Sequence, residues 1–282
     1  PAIICASSII LAVAESSGSI PFSLNSHCRI RLQSSILALS PSTSGLLLFI
    51  TAIAADTETE LNPEKGFIAT ANQNVTPDEY DNWNAIGYSW SDPYRGDRVN
   101  EVLAKNDQLN QEDMKNLQVD VTSLPAKIII PFLGEIDFEE FETEQKNRLL
   151  NWNFRLESSS IEAAIYVEWE NEIKRMAHKQ FVPEIAKPYL TTLQLKKIID
   201  WIENPKETYF GSISSRDAFL KMTFEEGVSN LKKRLGPNTL EWRYGQTKFK
   251  HSFMEHALGG IGTDAVSSKL NLGPLPRGGN AY

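Results

Sequence analysis

Two residues carry the most pointed chemistry in this chain. Asn72 follows a short apolar run, Phe67-Ile68-Ala69-Thr70-Ala71, and a neutral carboxamide at a strand end can donate an N–H to a developing oxyanion. Arg98 stands four residues after Tyr94 and next to Asp97. Its planar fork of donors can hold such an amide, or bind a substrate carboxylate. By residue type alone both have plainer readings: an Asn after a strand is a turn residue, and an Arg beside an Asp is a local ion pair. The histidines offer less. His251 and His256 are five apart with no third ligand at zinc spacing, and His27 and His178 stand alone, so all four read as surface or hydrogen-bonded core side chains. No Gly-x-Ser-x-Gly elbow, phosphate loop or dinucleotide fingerprint occurs. The acidic pairs Glu139-Glu140 and Glu225-Glu226 read as solvated faces.

The elements that must position Asn72 and Arg98 are legible in outline. Asn62-Pro63-Glu64-Lys65-Gly66 is a turn, Phe67–Ala71 a short strand, and Asn72-Gln73-Asn74 the polar cluster that ends it. An aromatic loop runs from Thr76 to Gly96, and Asp97 to Ala104 reads as a helix with Val99, Val102 and Leu103 on one face. Further helices are expected over Glu112–Val121, behind a capping box at Ser159-Ser160-Ile161-Glu162, from Thr192 to Pro205, and from Ser215 to Leu235 before Gly236-Pro237. Ala126–Leu133 is a short apolar run around Pro131, and the chain turns rich in Gly and Pro after Gly259. These residues alone describe a soluble α+β domain.

Composition adds bounds. The 282 residues carry 28 Lys plus Arg against 36 Asp plus Glu, a net charge of −8. No nucleic-acid partner is expected, because displacing counterions from phosphates needs a basic face. Two cysteines cannot build a disulfide framework. Residues 1–55 stand apart from residues 56–282: Glu15, Arg29 and Arg31 are their only charges, beside twelve serines and both cysteines. Three readings remain open for this stretch. It is a targeting segment with Ala52-Ile53-Ala54 as a cleavage site, a membrane anchor over residues 33–55, or a front that is not native coding sequence.

The ordered motifs from residue 61 onward resemble the penicillin acylase (penicillin amidase) family. They begin with Asn62-Pro63-x-x-Gly66-Phe67-Ile68-Ala69-x-Ala71-Asn72-Gln73, then Gly87-Tyr88-x-Trp90 and Tyr94-Arg95-x-x-Arg98-Val99. Leu117-Gln118-x-Asp120, Leu150-x-Trp152 and Ser160-x-x-Ala163-Ala164-Ile165-Tyr166-x-x-Trp169 follow. Trp242-x-Tyr244-Gly245 and Pro276-x-Gly278-Gly279 close the series. Departures are Asn153 where many members have Asp, Lys248 in place of a common His, and Gly18-Ser19-Ile20-Pro21, which does not continue as the family does.

The resemblance implies a helix-rich fragment of an N-terminal-nucleophile hydrolase, whose parent fold is an α/β/β/α four-layer sandwich. It implies hydrolysis of an N-acyl bond in a β-lactam, an acyl-homoserine lactone or a related amide. The family's precursor cuts itself into a small and a large chain. A new N-terminal serine then attacks the carbonyl, with its own amine, of pKa about 8, as base. By motif position Asn72 is the side-chain oxyanion donor, and Arg98 orients it and faces the acyl-binding cleft. The expected partners are a small acyl-amide substrate, the small chain and the front of the large chain. This sequence would be the middle and later part of the large chain, truncated at both ends, without the nucleophile and inactive alone. Catalysis is expected to need no cofactor. A structural calcium accompanies many relatives; the loop bearing Asn84 and Asp81 differs in length from theirs, so neither residue is assigned as a ligand. A bacterial, periplasmic or secreted location is implied. The rival readings are a non-catalytic relative serving as a binding or scaffold protein, and a membrane-tethered helical interaction domain led by residues 33–55.

Overall fold

A computed structural model describes residues 4–6, 9–13, 63–76, 90–105, 108–261 and 263–280. Most of the serine-rich stretch and the loop bearing Asp81, Asn84, Gly87 and Tyr88 lie outside the described residues. The chain divides into two compact units, Pro1–Trp90 and Ser91–Tyr282.

The first unit holds a three-stranded antiparallel sheet in the order β1 (Ile4–Ala6), β2 (Ile9–Val13), β3 (Phe67–Thr70). β2 and β3 pair with Ile10 opposite Thr70 and Val13 opposite Phe67. Entry into β3 is the expected turn: Gly66 donates its N–H to the Pro63 carbonyl at 2.8 Å and takes φ +77°, a conformation that costs glycine little.

The second unit is helical. α1 (Tyr94–Ala104) starts three residues before the expected Asp97, because Pro93 fixes the entry and its carbonyl accepts from Asp97 N–H at 2.9 Å. α2 (Gln111–Gln118) begins with a reciprocal capping box between Asn110 and Asp113. α3 (Leu124–Ile129) and a 3-10 turn (Ile130–Leu133) form the apolar run around Pro131. α4 (Glu140–Leu150) is not announced by any apolar period; only Gln145 and Leu149 are buried. α5 (Ile161–Phe181) is capped by Ser160 rather than Ser159. The Ser160 hydroxyl accepts from Ala163 N–H and donates to Glu162, both at 3.0 Å. α6 (Leu195–Glu203) starts three residues later than Thr192. The Asp92 carboxylate, about a hundred positions upstream, accepts from the N–H groups of Leu195 and Lys196 and so caps it from outside. α7 (Ile213–Leu235) ends at Gly236, φ +96°.

α5 and α7 form the centre of the core. The Trp169 and Phe224 rings meet edge to face at 5.5 Å. Trp169 Nε1 donates to Thr223 Oγ1 at 3.1 Å, and that hydroxyl donates back to the Phe219 carbonyl at 3.0 Å. Gly227 permits the approach, since a Cβ there would sit 3.1 Å from Trp169 Cα. The Gly- and Pro-rich tail is more ordered than its composition suggests. β4 (His251–Met254) pairs antiparallel with β5 (Leu272–Pro276) around the short helix α8 (Asp264–Leu270). No described helix is long and apolar enough to cross a membrane.

Candidate functional site

Asn72 lies just past the end of β3. Ala71 is 1% exposed and Gln73 9%, while Asn72 between them is exposed. Its backbone takes φ +68°, a left-handed conformation that Asn tolerates better than other residues with a Cβ. Gln73 stabilises the kink from within: its side-chain carbonyl accepts from Ala71 N–H at 2.6 Å, which the strand would otherwise use. Sequence type and position therefore agree here. An asparagine suits a backbone that turns sharply at the strand end, and the residue is exposed there.

Arg98 belongs to the second unit, on α1. The ion pair expected with Asp97 does not form. Arg98 Nε and Nη2 both donate to Asp120 Oδ2, at 2.9 and 2.6 Å, and Nη1 donates to Glu101 Oε2 at 2.9 Å. The reason is helical geometry: i,i+1 neighbours diverge, whereas Glu101 lies three residues on and on the same face. Burial works against the guanidinium charge, but the bonds to Glu101 and Asp120 outweigh it and hold Arg98 protonated. Burial likewise opposes the Asp120 carboxylate. Hydrogen bonds from the Thr122 hydroxyl and Arg98, then from Thr122 N–H, hold it below the usual range. Glu101 is drawn down to about 2, first by Lys105 and then by Arg98.

These pairs extend into a line of alternating charge. Lys105 binds Glu101, Glu101 binds Arg98, Arg98 binds Asp120, and Arg155 reaches Asp120 at 3.5 Å while binding Glu157 at 2.8 Å. Three cations face three anions, so the line carries no net charge. Arg98 is thus poorly suited to attract a substrate carboxylate and better suited to direct N–H groups at a neutral amide or acyl oxygen. Among the described residues three of its five donors are taken, leaving one on each Nη nitrogen. Arg155 and Trp152 also line an open cleft of about 700 Å³ beside α4.

Several other motif residues are structural. Tyr244 N–H donates to the Ser160 carbonyl at 3.0 Å and Gly245 N–H to that of Ser158 at 2.6 Å. The Tyr244 hydroxyl donates to the Gly279 carbonyl at 2.7 Å, and Gly279 N–H to that of Leu156 at 2.8 Å. The two glycine motifs therefore clamp the segment leading into α5, with Trp242 and Tyr244 fully buried. Trp152 packs on Tyr166 with ring centroids 5.8 Å apart. Asn153 caps a local turn, its side-chain oxygen accepting from Arg155 N–H at 3.0 Å, which an Asp would do equally. Lys248 is exposed.

His178 Nε2 lies 2.7 Å from the Leu190 carbonyl, and His251 and His256 are exposed. His27, Asp81 and Asn84 fall outside the described residues. Among the described residues no group of three or more His, Cys, Asp or Glu is placed to hold a metal ion. What the sequence reading missed is a set of buried carboxylates on α5. Arg234 pairs with Glu168 through both terminal nitrogens, and Asn230 and Arg175 hold Glu172. Glu170 is fully buried, with Oε1 on Lys174 at 2.8 Å; among the described residues neither its Oε2 nor the Tyr166 hydroxyl has a partner in good hydrogen-bond geometry. The signal was available: apolar residues on every side of 161–173 mark a helix buried all round, which leaves no outward face for its charges.

The described residues form an α+β chain with one large helical unit. The penicillin amidase family model matches residues 12–282, and the chain belongs to that family. The match reaches into the low-charge stretch and includes β3 and α1. An acyl-homoserine lactone acylase of Pseudomonas aeruginosa, QuiP, is 23% identical over 257 residues, covering 78% of this chain and 30% of the relative. A thermostable penicillin G acylase from Alcaligenes faecalis shares the fold, with a TM-score of 0.50 at 13% identity, over 64% of this chain and 38% of that one. The chain thus spans less than two-fifths of the length of either.

Proposed function

We propose that this chain forms part of an amide hydrolase that cleaves a linear N-acyl bond in a β-lactam, an acyl-homoserine lactone or a related amide. In this reading Asn72 donates its side-chain N–H to the oxyanion of the tetrahedral intermediate. Arg98 directs its remaining N–H groups toward the acyl side of the reaction. In this reading the attacking serine and the small chain come from the complete acylase, of whose relatives this chain spans less than two-fifths. The observation that carries the reading is Asn72 itself, exposed at the end of β3 on a left-handed kink that Gln73 holds. A donor fixed before the reaction needs no reorganisation as charge develops, which is where such a group gains its catalytic effect.

The test is Asn72→Ala in the complete acylase polypeptide, assayed with an N-acyl homoserine lactone and with an N-acyl β-lactam. Turnover is expected to fall about 100- to 1000-fold on the substrate that the wild type cleaves, with the urea unfolding midpoint unchanged. Wild-type turnover in the variant would remove Asn72 from the oxyanion role. A complete wild-type protein that cleaves neither substrate, nor simple N-acyl anilides, would favour the non-catalytic relative.

A further inference from the structure

We infer that Asp120 is a positioning residue: its carboxylate, held by Thr122 and Arg155, sets the plane in which the Arg98 guanidinium presents its remaining donors. This rests on the role proposed above for Arg98 and extends it to residues with no part in that reading.

A single oxygen, Asp120 Oδ2, accepts from both Arg98 Nε and Nη2. Two bonds along one edge of a planar group restrict rotation about the last side-chain torsion, which one contact would leave free. Glu101 then holds Nη1 from the next turn of α1. A clamp is only as rigid as its own support, and Asp120 is well supported. Its other oxygen accepts from Thr122 N–H at 2.9 Å and from the Thr122 hydroxyl at 2.6 Å. Thr122 is bridged antiparallel to Arg155, with Leu156 N–H on the Val121 carbonyl and Ser123 N–H on the Phe154 carbonyl, both at 2.9 Å.

Phe154 takes φ +61° at this bridge. A bulky residue adopts that conformation only where its surroundings over-determine it. Here the kink brings Arg155 opposite Thr122, from where its guanidinium reaches Asp120. Asp120 also follows directly on α2, so it joins α2, α1 and the bridge at one carboxylate. Side chains that fix an active-site group commonly matter because small misplacements carry large kinetic effects.

The test uses Asp120→Asn, Arg98→Lys and the double variant in the complete acylase, with the amide substrate that the wild type cleaves. Asp120→Asn is expected to lower kcat about 10- to 100-fold with KM within about 3-fold. In the Arg98→Lys background the same change should lower kcat by less than about 3-fold, because residues acting as a unit are not additive. Asp120→Glu should recover part of the loss. Hydrogen exchange at Arg98 Nε–H, followed by 15N NMR, should speed up in Asp120→Asn. Wild-type kcat in Asp120→Asn, beside a lowered kcat in Arg98→Lys, would overturn the inference and leave the role of Arg98 standing. Equal losses in both backgrounds would reduce Asp120 to a structural residue and overturn it too. Wild-type kcat in Arg98→Lys would overturn both readings together. If Asp120→Asn does not fold, Thr122→Val replaces it. A several-fold loss that disappears in the Arg98→Lys background supports the inference, and wild-type kinetics overturn it.

Discussion

Gly245→Ala is the sharpest test of how the second unit is held together. A Cβ at Gly245 would lie 2.3 Å from Ser158 Cβ, 2.8 Å from its Cα and 2.9 Å from its carbonyl oxygen. Two of those atoms are backbone, so no rotamer change relieves the clash; the two segments must separate by about 1 Å to reach ordinary contact. That movement would stretch the Gly245 N–H bond to Ser158, now 2.6 Å, and the Tyr244 N–H bond to Ser160, now 3.0 Å, out of hydrogen-bonding range. Two lost bonds at about 1 kcal/mol each, added to about 1–3 kcal/mol for overpacking, give a destabilisation of roughly 3–5 kcal/mol. For a chain of this size that corresponds to a fall in Tm of about 6–20 °C. The assay is urea unfolding and calorimetry of the 282-residue chain, with Gly260→Ala as control. Nothing lies within 4 Å of the Cβ position at Gly260, so that variant should stay within about 0.5 kcal/mol of wild type. If the two variants unfold within about 1 kcal/mol of each other, Gly245 is not at a close approach and the clamp account fails.

Two further predictions concern α5. Thr223→Val removes the acceptor of the buried Trp169 N–H and should cost about 1–3 kcal/mol; an unchanged urea midpoint would show that Trp169 finds another partner. Burial, outweighing Lys174, pushes the Glu170 carboxyl up from its ordinary 4.5. A carboxyl raised by folding contributes stability that is fully present below its unfolded pKa and is lost as pH rises through the folded value. Glu170→Gln cannot ionise, so its stability relative to wild type should grow between pH 4 and pH 8; a difference independent of pH, read from urea midpoints, would refute this.

Local signals were read well and long-range ones were not. The turn before β3, the strand itself and the periodicity of α5 lie within a few residues of their causes. The start of α6 does not: Thr192 looks like a cap, but Asp92 caps Leu195 and Lys196 from about a hundred residues away. α4 was hidden because it buries only Gln145 and Leu149 and so shows no stripe. The same divide separates the two candidate site residues. Asn72 was placed at a strand end by its neighbours in sequence. Arg98 was matched with Asp97 because adjacency is all that spacing offers, whereas its partner Asp120 arrives through the fold of α2 and the bridge at Thr122.

The resemblance motifs thus separate into three physical roles. Gly245 and Gly278 are needed where backbones nearly touch, Gly279 takes a left-handed φ of +74°, and Trp152, Tyr166, Trp169 and Trp242 fill the core; none of these says anything about a substrate. Asn72, Arg98 and Asp120 differ because packing does not explain them: one is exposed on a kinked backbone, and two are an ion pair within a line whose charges cancel. A cation neutralised by its neighbours gains little from long-range attraction and keeps chiefly its direction. Direction is what an acyl oxygen or an amide requires of its partner, since a neutral ligand is recognised by where the N–H groups point rather than by net charge. On the role proposed for Arg98, it is therefore the clamp, and not the mere presence of an arginine, that bears on the chemistry.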